Sequence, residues 1–207
     1  MILEGDPGLN TRDCPTDPTH CHNVGSRWNI VGATQAASLS AQGYSALQKR
    51  ISSVQDFNTQ LTTNGMITGG VIYIGHGGSV TSAPFDGALF PGQGTGPDTN
   101  ITRDNVMLLK NSNLSNDATV VLWTCHGAYG GYYWSIASQI AAQLQRYVFA
   151  WPVNMFLTKN PSATRPTGMP PASNPLYLLP MGGTPAQCFS PSGYRCPSEQ
   201  PLPYRPY

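Results

Sequence analysis

Continuous runs of apolar residues predict the strands of this chain. Residues 71–74 (Val-Ile-Tyr-Ile), 120–123 (Val-Val-Leu-Trp) and 147–151 (Tyr-Val-Phe-Ala-Trp) are apolar at every position. Strands without alternation are buried on both faces, which is typical of the centre of a parallel sheet. Residues 28–33 (Trp-Asn-Ile-Val-Gly-Ala), a run ending at a small-residue turn, predict another strand ahead of these three.

Helical periodicity separates these runs. Between residues 44 and 64 the apolar positions recur at steps of three or four, which predicts one amphipathic helix carrying Leu47, Ile51, Val54, Phe57 and Leu61. A short helix after Thr102 and a longer one over residues 135–144 follow. Alternating strands and helices predict an α/β fold, a three-layer sandwich with a mostly parallel central sheet flanked by helices.

Composition divides the chain into three regions. Residues 1–26 are rich in Asp, Pro, Thr, Cys and His without an apolar period, so we expect an irregular N-terminal arm. Residues 27–159 contain the predicted strands and helices and form the expected domain. Prolines recur through residues 160–207, which we expect to be an extension without regular secondary structure that packs in part on the domain.

The charge and the apolar runs of the chain indicate which classes of partner to expect. The 207 residues carry a net charge of +1 and only 10% are charged. No Lys/Arg cluster could neutralise a run of phosphates, which argues against a nucleic-acid partner. No apolar stretch reaches the roughly 18–20 residues that a membrane span needs, so no membrane partner is expected. Residues 1–10 show no signal-peptide pattern, which leaves localisation open.

Four of the five cysteines fall into two close pairs. Cys14 with Cys21, and Cys188 with Cys196, could each close a small disulfide in an oxidising compartment. Cys125 stands apart as the odd thiol. His20 and His22 beside Cys14 and Cys21 could instead form a zinc site, although their spacing is not that of a standard zinc finger.

Candidate chemistry follows two of the predicted strands. His76 lies two positions past residues 71–74, and Cys125 lies two positions past residues 120–123. The carboxyl ends of neighbouring parallel strands meet at one edge of the sheet, where sites of open α/β folds are found. An imidazole and a thiol there could act together, because imidazole exchanges protons near neutrality and the thiolate is the nucleophile.

The glycines after His76 suit the same chemistry. Gly77 and Gly78 let the backbone turn sharply and approach a substrate carbonyl. The backbone N–H groups of Gly77 and Cys125 could form an oxyanion hole. His126 is a rival base, but adjacent side chains of an extended chain point to opposite faces.

These two elements resemble those of a known family. Residues 71–78, with Gly75-His76-Gly77 after an apolar block, and residues 120–127, with Cys125 after another, resemble the caspase-like cysteine peptidases of clan CD, which include the metacaspases. The separation of His76 and Cys125 suits one strand–helix–strand step of that family. The resemblance covers roughly residues 27–157.

The resemblance implies a cysteine endopeptidase with a catalytic dyad, no cofactor and no metal. His76 would serve as general acid/base, Cys125 would form a thioester acyl-enzyme, and Gly78, Thr124 and Trp151 could line the substrate pocket. The family's acid two residues before the cysteine is Trp123 here, so the basic P1 preference of metacaspases cannot be carried over.

Other interpretations remain open. His76 and Cys125 could be structural residues of a non-catalytic caspase-like binding module, or the dyad could serve an amidase or acyltransferase. The composition and the N-terminal region weakly favour a secreted or delivered bacterial effector or toxin. The expected partners are a protein or peptide substrate and an inhibitor or immunity protein.

Overall fold

The structure, a computed structural model, describes residues 1–5, 24–79, 87–92, 98–158 and 177–197. The strands in this part of the chain are β1 (Ile2–Gly5), β2 (Gln48–Ile51), β3 (Gly70–Ile74), β4 (His76–Ser79), β5 (Gly87–Phe90), β6 (Thr119–Trp123), β7 (Tyr147–Ala150), β8 (Met155–Thr158), β9 (Tyr177–Pro180) and β10 (Gln187–Phe189). The helices are α1 (Val24–Ala41), α2 (Val54–Thr63), α3 (Gly131–Trp134) and α4 (Ile136–Leu144).

Six strands form the central sheet, in the order β10-β7-β6-β3-β1-β2. Its neighbours pair in parallel, except that β10 runs antiparallel to β7 at one edge. Two further pairs, β4–β5 and β8–β9, form antiparallel ribbons outside this sheet. The predicted α/β class with a mostly parallel central sheet is therefore confirmed.

Helices cover both faces of the sheet. Buried side chains of α1 and of the β8–β9 ribbon pack on one face, which we call the α1 face. Buried side chains of α2 and α4 pack on the opposite face. Strands β3 and β6 send alternate residues into the two layers, which explains why their sequences are apolar at every position. The arrangement is compatible with the three-layer sandwich.

The N-terminal residues correct the expected boundaries. Part of the region interpreted as an irregular arm, Ile2–Gly5, is a buried strand between β2 and β3. Residues 28–33 were expected to be a strand, and this prediction was wrong because they belong to α1. Trp28, Val31, Gln35 and Leu39 are buried at steps of three and four, a helical period that a six-residue window is too short to show.

The helix expected over residues 44–64 is shorter than predicted. Gln48–Ile51 is the edge strand β2, and α2 begins only at Val54. The Ser53 hydroxyl accepts a hydrogen bond from the Asp56 N–H at 3.0 Å and caps the helix. This N-cap starts the helix after Ser53, although the apolar period extends back through β2. The helix expected over residues 135–144 is confirmed as α4, with Ser135 as its N-cap.

The proline-rich extension is more regular than expected. Tyr177–Pro180 forms β9, and Gln187–Phe189 joins the central sheet as its antiparallel edge strand. Both strands are short, and edge positions tolerate nearby prolines better than central ones. Cys188 and Cys196 form a disulfide, which confirms one of the two suggested pairings. The alternatives for Cys14 and Cys21 lie outside the described residues.

No helix within the described residues combines the length and apolar character that a bilayer crossing requires.

Candidate functional site

The pairing of β3 with β6 brings His76 and Cys125 to one edge of the sheet. Ile74 is in register with Trp123, and the Gly75 N–H donates to the Trp123 carbonyl at 3.4 Å. His76 and Cys125 each follow that last pair by two residues. His76 contacts Trp28 of α1, and Cys125 packs on the core of the same layer, so both side chains lie on the α1 face.

Gly77 allows the backbone after β3 to lie against the backbone after β6. A Cβ atom at Gly77 would collide with the Thr124 hydroxyl and with the Cys125 carbonyl. The backbone beside His76 therefore lies directly against the backbone that carries Cys125. Only a residue without a side chain permits this approach.

The Gly77 amide lies on the outer side of the β4–β5 ribbon. Both backbone hydrogen bonds of Leu89, at 2.9 Å each, go to Ile101. Leu89 is the partner of Gly77 in the β4–β5 ribbon, so their pair is of the widely spaced, non-hydrogen-bonded kind. The N–H of Gly77 therefore points away from β5. This orientation suits the predicted oxyanion hole, whose second donor would be the Cys125 N–H.

The His76 ring is half-buried and held from one side by an aromatic contact. Its centroid lies 5.1 Å from that of Trp28, with the rings nearly perpendicular at 88°. Trp28 is itself 6% exposed, so its ring has little room to move away from His76. The Nε2 atom of His76 is buried in this setting. Such packing restricts the ring orientations that His76 can adopt.

Cys125 is half-buried, forms no disulfide, and is hydrogen-bonded to the backbone of β8. The Met155 N–H donates to Sγ at 3.2 Å, and the thiol donates to the Met155 carbonyl at 3.7 Å. The N–H donor favours the charged thiolate, whereas the carbonyl acceptor favours the neutral thiol. Sequence reasoning missed Met155, because the group that acts is its backbone amide and no side-chain pattern reports it.

The His126 ring has partners other than the thiol. Its Nδ1 lies 3.3 Å from the Pro152 carbonyl, to which it donates, and its ring packs against Tyr129. The backbone at His126 is left-handed, with φ of 55°. A residue in this conformation does not continue the extended strand, so the expectation from strand alternation applies only as far as Cys125.

The residues predicted to line a substrate pocket have mixed surroundings. Gly78 is half-buried in β4, whereas Thr124 is fully buried against Gly77. Trp151 is 4% exposed and stacks on Trp123, with centroids 6.1 Å apart. Contact of Gly78, Thr124 and Trp151 with substrate stays a prediction, and the described positions of Thr124 and Trp151 are packing positions.

Glu4 is a buried carboxyl on the same face of the sheet. It pairs in register with Ile74 and is 2% exposed. Burial raises its pKa to about 7, against the opposing effects of a hydrogen bond from the Gln48 amide and of the Arg50 charge. Sequence reasoning did not single out Glu4, because residues 1–26 were interpreted as an irregular arm.

Within the described ranges, no group of three or more His, Cys, Asp or Glu side chains is placed to hold a metal ion. The alternative zinc ligands Cys14, His20, Cys21 and His22 lie outside those ranges.

In comparisons with known proteins, no family model, no curated protein and no solved structure matched the chain.

Proposed function

We propose that the chain is a cysteine peptidase of caspase-like fold that hydrolyses peptide bonds through His76 and Cys125. The observation that carries the proposal is their shared position, two residues past the paired Ile74 and Trp123 on one face of the sheet. The mostly parallel sheet and the two motifs agree with the resemblance. Among the described cysteines, Cys125 is the one outside a disulfide, and it lies at the expected strand end.

The reaction begins at the Cys125 sulfur. Its thiolate attacks the carbonyl carbon of the scissile peptide bond and forms a C–S bond, and the carbonyl electrons move onto oxygen. The N–H groups of Gly77 and Cys125 stabilise this oxyanion. When the tetrahedral intermediate collapses, the C–N bond breaks and His76 gives a proton to the leaving amine.

Water completes the cycle. His76, now neutral, takes a proton from a water molecule, whose oxygen attacks the thioester carbon. The C–S bond breaks, the acid product leaves, and the thiolate–imidazolium pair is restored. The Met155 N–H stabilises the thiolate at the beginning and end of this cycle, because it donates to Sγ in the resting site.

The surroundings of Trp123 bear on the substrate. Trp123 occupies the position where metacaspases carry an acid, and it is buried against Trp151. No charge at this position is available to pair with a basic P1 side chain. The expected partner is a protein or peptide substrate, to which the metacaspase preference for Arg or Lys at P1 does not carry over.

Digestion of a proteome-derived peptide library tests the proposal. Wild type is expected to generate new peptide termini that share a P1 residue, read by mass spectrometry, whereas Cys125→Ala and His76→Ala generate none above background. His126→Ala is the matched control and retains cleavage, because the His126 ring is held at Pro152.

Three results would contradict the proposal. Cleavage that survives in Cys125→Ala would show that another group or a contaminant is responsible. Loss of activity in His126→Ala but not in His76→Ala would show that His126, and not His76, is the base. A reactive Cys125 without any new termini would favour the amidase, acyltransferase or binding-module interpretations.

A further inference from the structure

The last rung of the β4–β5 ribbon contains a side-chain hydroxyl. His76 and Phe90 form the terminal pair of the ribbon. The Tyr73 hydroxyl donates to the His76 carbonyl at 3.1 Å and accepts a hydrogen bond from the Phe90 N–H. The phenol thus ties the backbone of His76 both to β3, on which Tyr73 lies, and to β5.

The surrounding backbone is shaped to admit this hydroxyl. A Cβ atom at Gly75 would lie 2.5 Å from the Tyr73 oxygen, and one at Gly5 would lie 3.2 Å from it. Gly5 at the end of β1 and Gly75 directly after β3 therefore leave the space that the phenol oxygen occupies. Tyr73 has no exposed surface, and burial raises the pKa of its hydroxyl, so it stays a neutral donor.

We infer that Tyr73 is a positioning residue for the His76–Cys125 pair, an inference that rests on the proposed function. The Tyr73 ring packs on the face opposite the site, near Phe57, so it does not touch the substrate side. It acts through the His76 carbonyl, which fixes where the Cα–Cβ bond of His76 points. Trp28 then restrains the ring from the α1 face.

The experiment measures alkylation of Cys125 by iodoacetamide near pH 6 and near pH 9, with the adduct mapped to Cys125. Labelling near pH 6 depends on a well-placed imidazolium, whereas near pH 9 an ordinary thiol ionises without help. Tyr73→Phe is expected to lower the ratio of the rate near pH 6 to the rate near pH 9 about tenfold, because a small displacement of the base has an effect of this size. Tyr147→Phe removes a hydroxyl at the start of β7, beside Thr119 at the other end of β6 from Cys125, and leaves the ratio unchanged.

A double-variant cycle separates positioning from general destabilisation. If Tyr73 acts through the His76 ring, Tyr73→Phe changes nothing further in a His76→Ala background. Equal effects in both backgrounds, or a Tyr73→Phe ratio equal to wild type, would overturn the inference. If the dyad itself is wrong, wild type and His76→Ala have the same ratio, which is a different result from failure of Tyr73 alone.

Discussion

At the scale of single residues, burial of Glu4 makes stability depend on pH. Its pKa is about 7 in the folded protein, above its ordinary value of 4.5. Between these pH values the folded state holds a proton that the unfolded state has released, so the free energy of unfolding falls as pH rises. Above pH 7 the buried carboxylate is charged and destabilises the fold at its full extent.

Glu4→Gln is expected to remove this dependence. The amide stays neutral and can still accept from Gln48, so the variant should gain roughly 1–3 kcal/mol over wild type at pH 8 and much less at pH 5. Urea unfolding at both pH values measures the difference. Asp117→Asn is the control, since Asp117 has a lowered pKa and stays charged throughout this range. An equal gain at both pH values would refute the account of Glu4.

The sequence could predict His76 and Cys125, because each follows a long apolar run that is easily recognised as a strand. It could not predict the roles of Met155, Trp28 and Tyr73. These act through a backbone amide, a ring contact and a hydroxyl within an apolar run, which only the folded backbone brings to the site.

At the scale of elements, the β4–β5 ribbon positions the backbone of His76 and Gly77. Gly77→Ala should abolish Cys125 reactivity near neutral pH, because the new methyl group collides with Thr124 and with the Cys125 carbonyl. Gly78→Ala is the matched control, since its methyl group would meet only the edge of the Phe90 ring, at 3.3 Å.

Alkylation rates and near-ultraviolet circular dichroism should be recorded for both variants. A folded Gly77→Ala protein with wild-type reactivity would mean that the approach of β4 to Cys125 is dispensable. A loss in Gly78→Ala as large as in Gly77→Ala would mean that any change in this ribbon is disruptive.

Short elements show where sequence patterns fail. Residues 28–33, a mostly apolar run, were predicted to be a strand and belong to α1. Residues 48–51, of which only Ile51 is apolar, were included in a predicted helix and form β2. Tertiary contacts decide these segments: α1 buries Trp28 and Val31 on the sheet, whereas β2 pairs with β1. The long runs at β3 and β6 were unambiguous because a single outcome, a central strand, buries both of their faces.

At the scale of the whole molecule, a disulfide fastens the edge strand of the sheet. Cys188 lies in β10, and its bond to Cys196 closes a loop that packs on α4 near Ser138. Replacing both cysteines by serine should lower the free energy of unfolding by about 2–3 kcal/mol, the value for a short loop.

Urea unfolding of the double serine variant against wild type measures this cost. Because β10 is two strands away from Cys125, the reactivity of the thiol should not change in the folded variant. Unchanged stability would show that the disulfide is not a constraint on the fold. Lost reactivity would show that β10 supports the site.

The overall class of the fold followed from the sequence, but its extent did not. Strand β1 has only four residues and is followed by polar sequence, and β10 has three residues in a proline-rich region. Each joins the sheet because the exposed edge of a neighbouring strand needs a hydrogen-bonding partner. Local sequence patterns do not show which distant strand needs a hydrogen-bonding partner, so both β1 and β10 were missed.

The central claim is that His76 activates Cys125, and site-specific labelling tests it most directly. Wild type, His76→Ala and His126→Ala are treated briefly with an iodoacetamide-type probe near pH 6, and the labelled peptide is identified by mass spectrometry. The account predicts fast labelling at Cys125 in wild type and His126→Ala, and at least tenfold slower labelling in His76→Ala. Equal rates in wild type and His76→Ala, or a Cys125 that reacts only after denaturation, would contradict it.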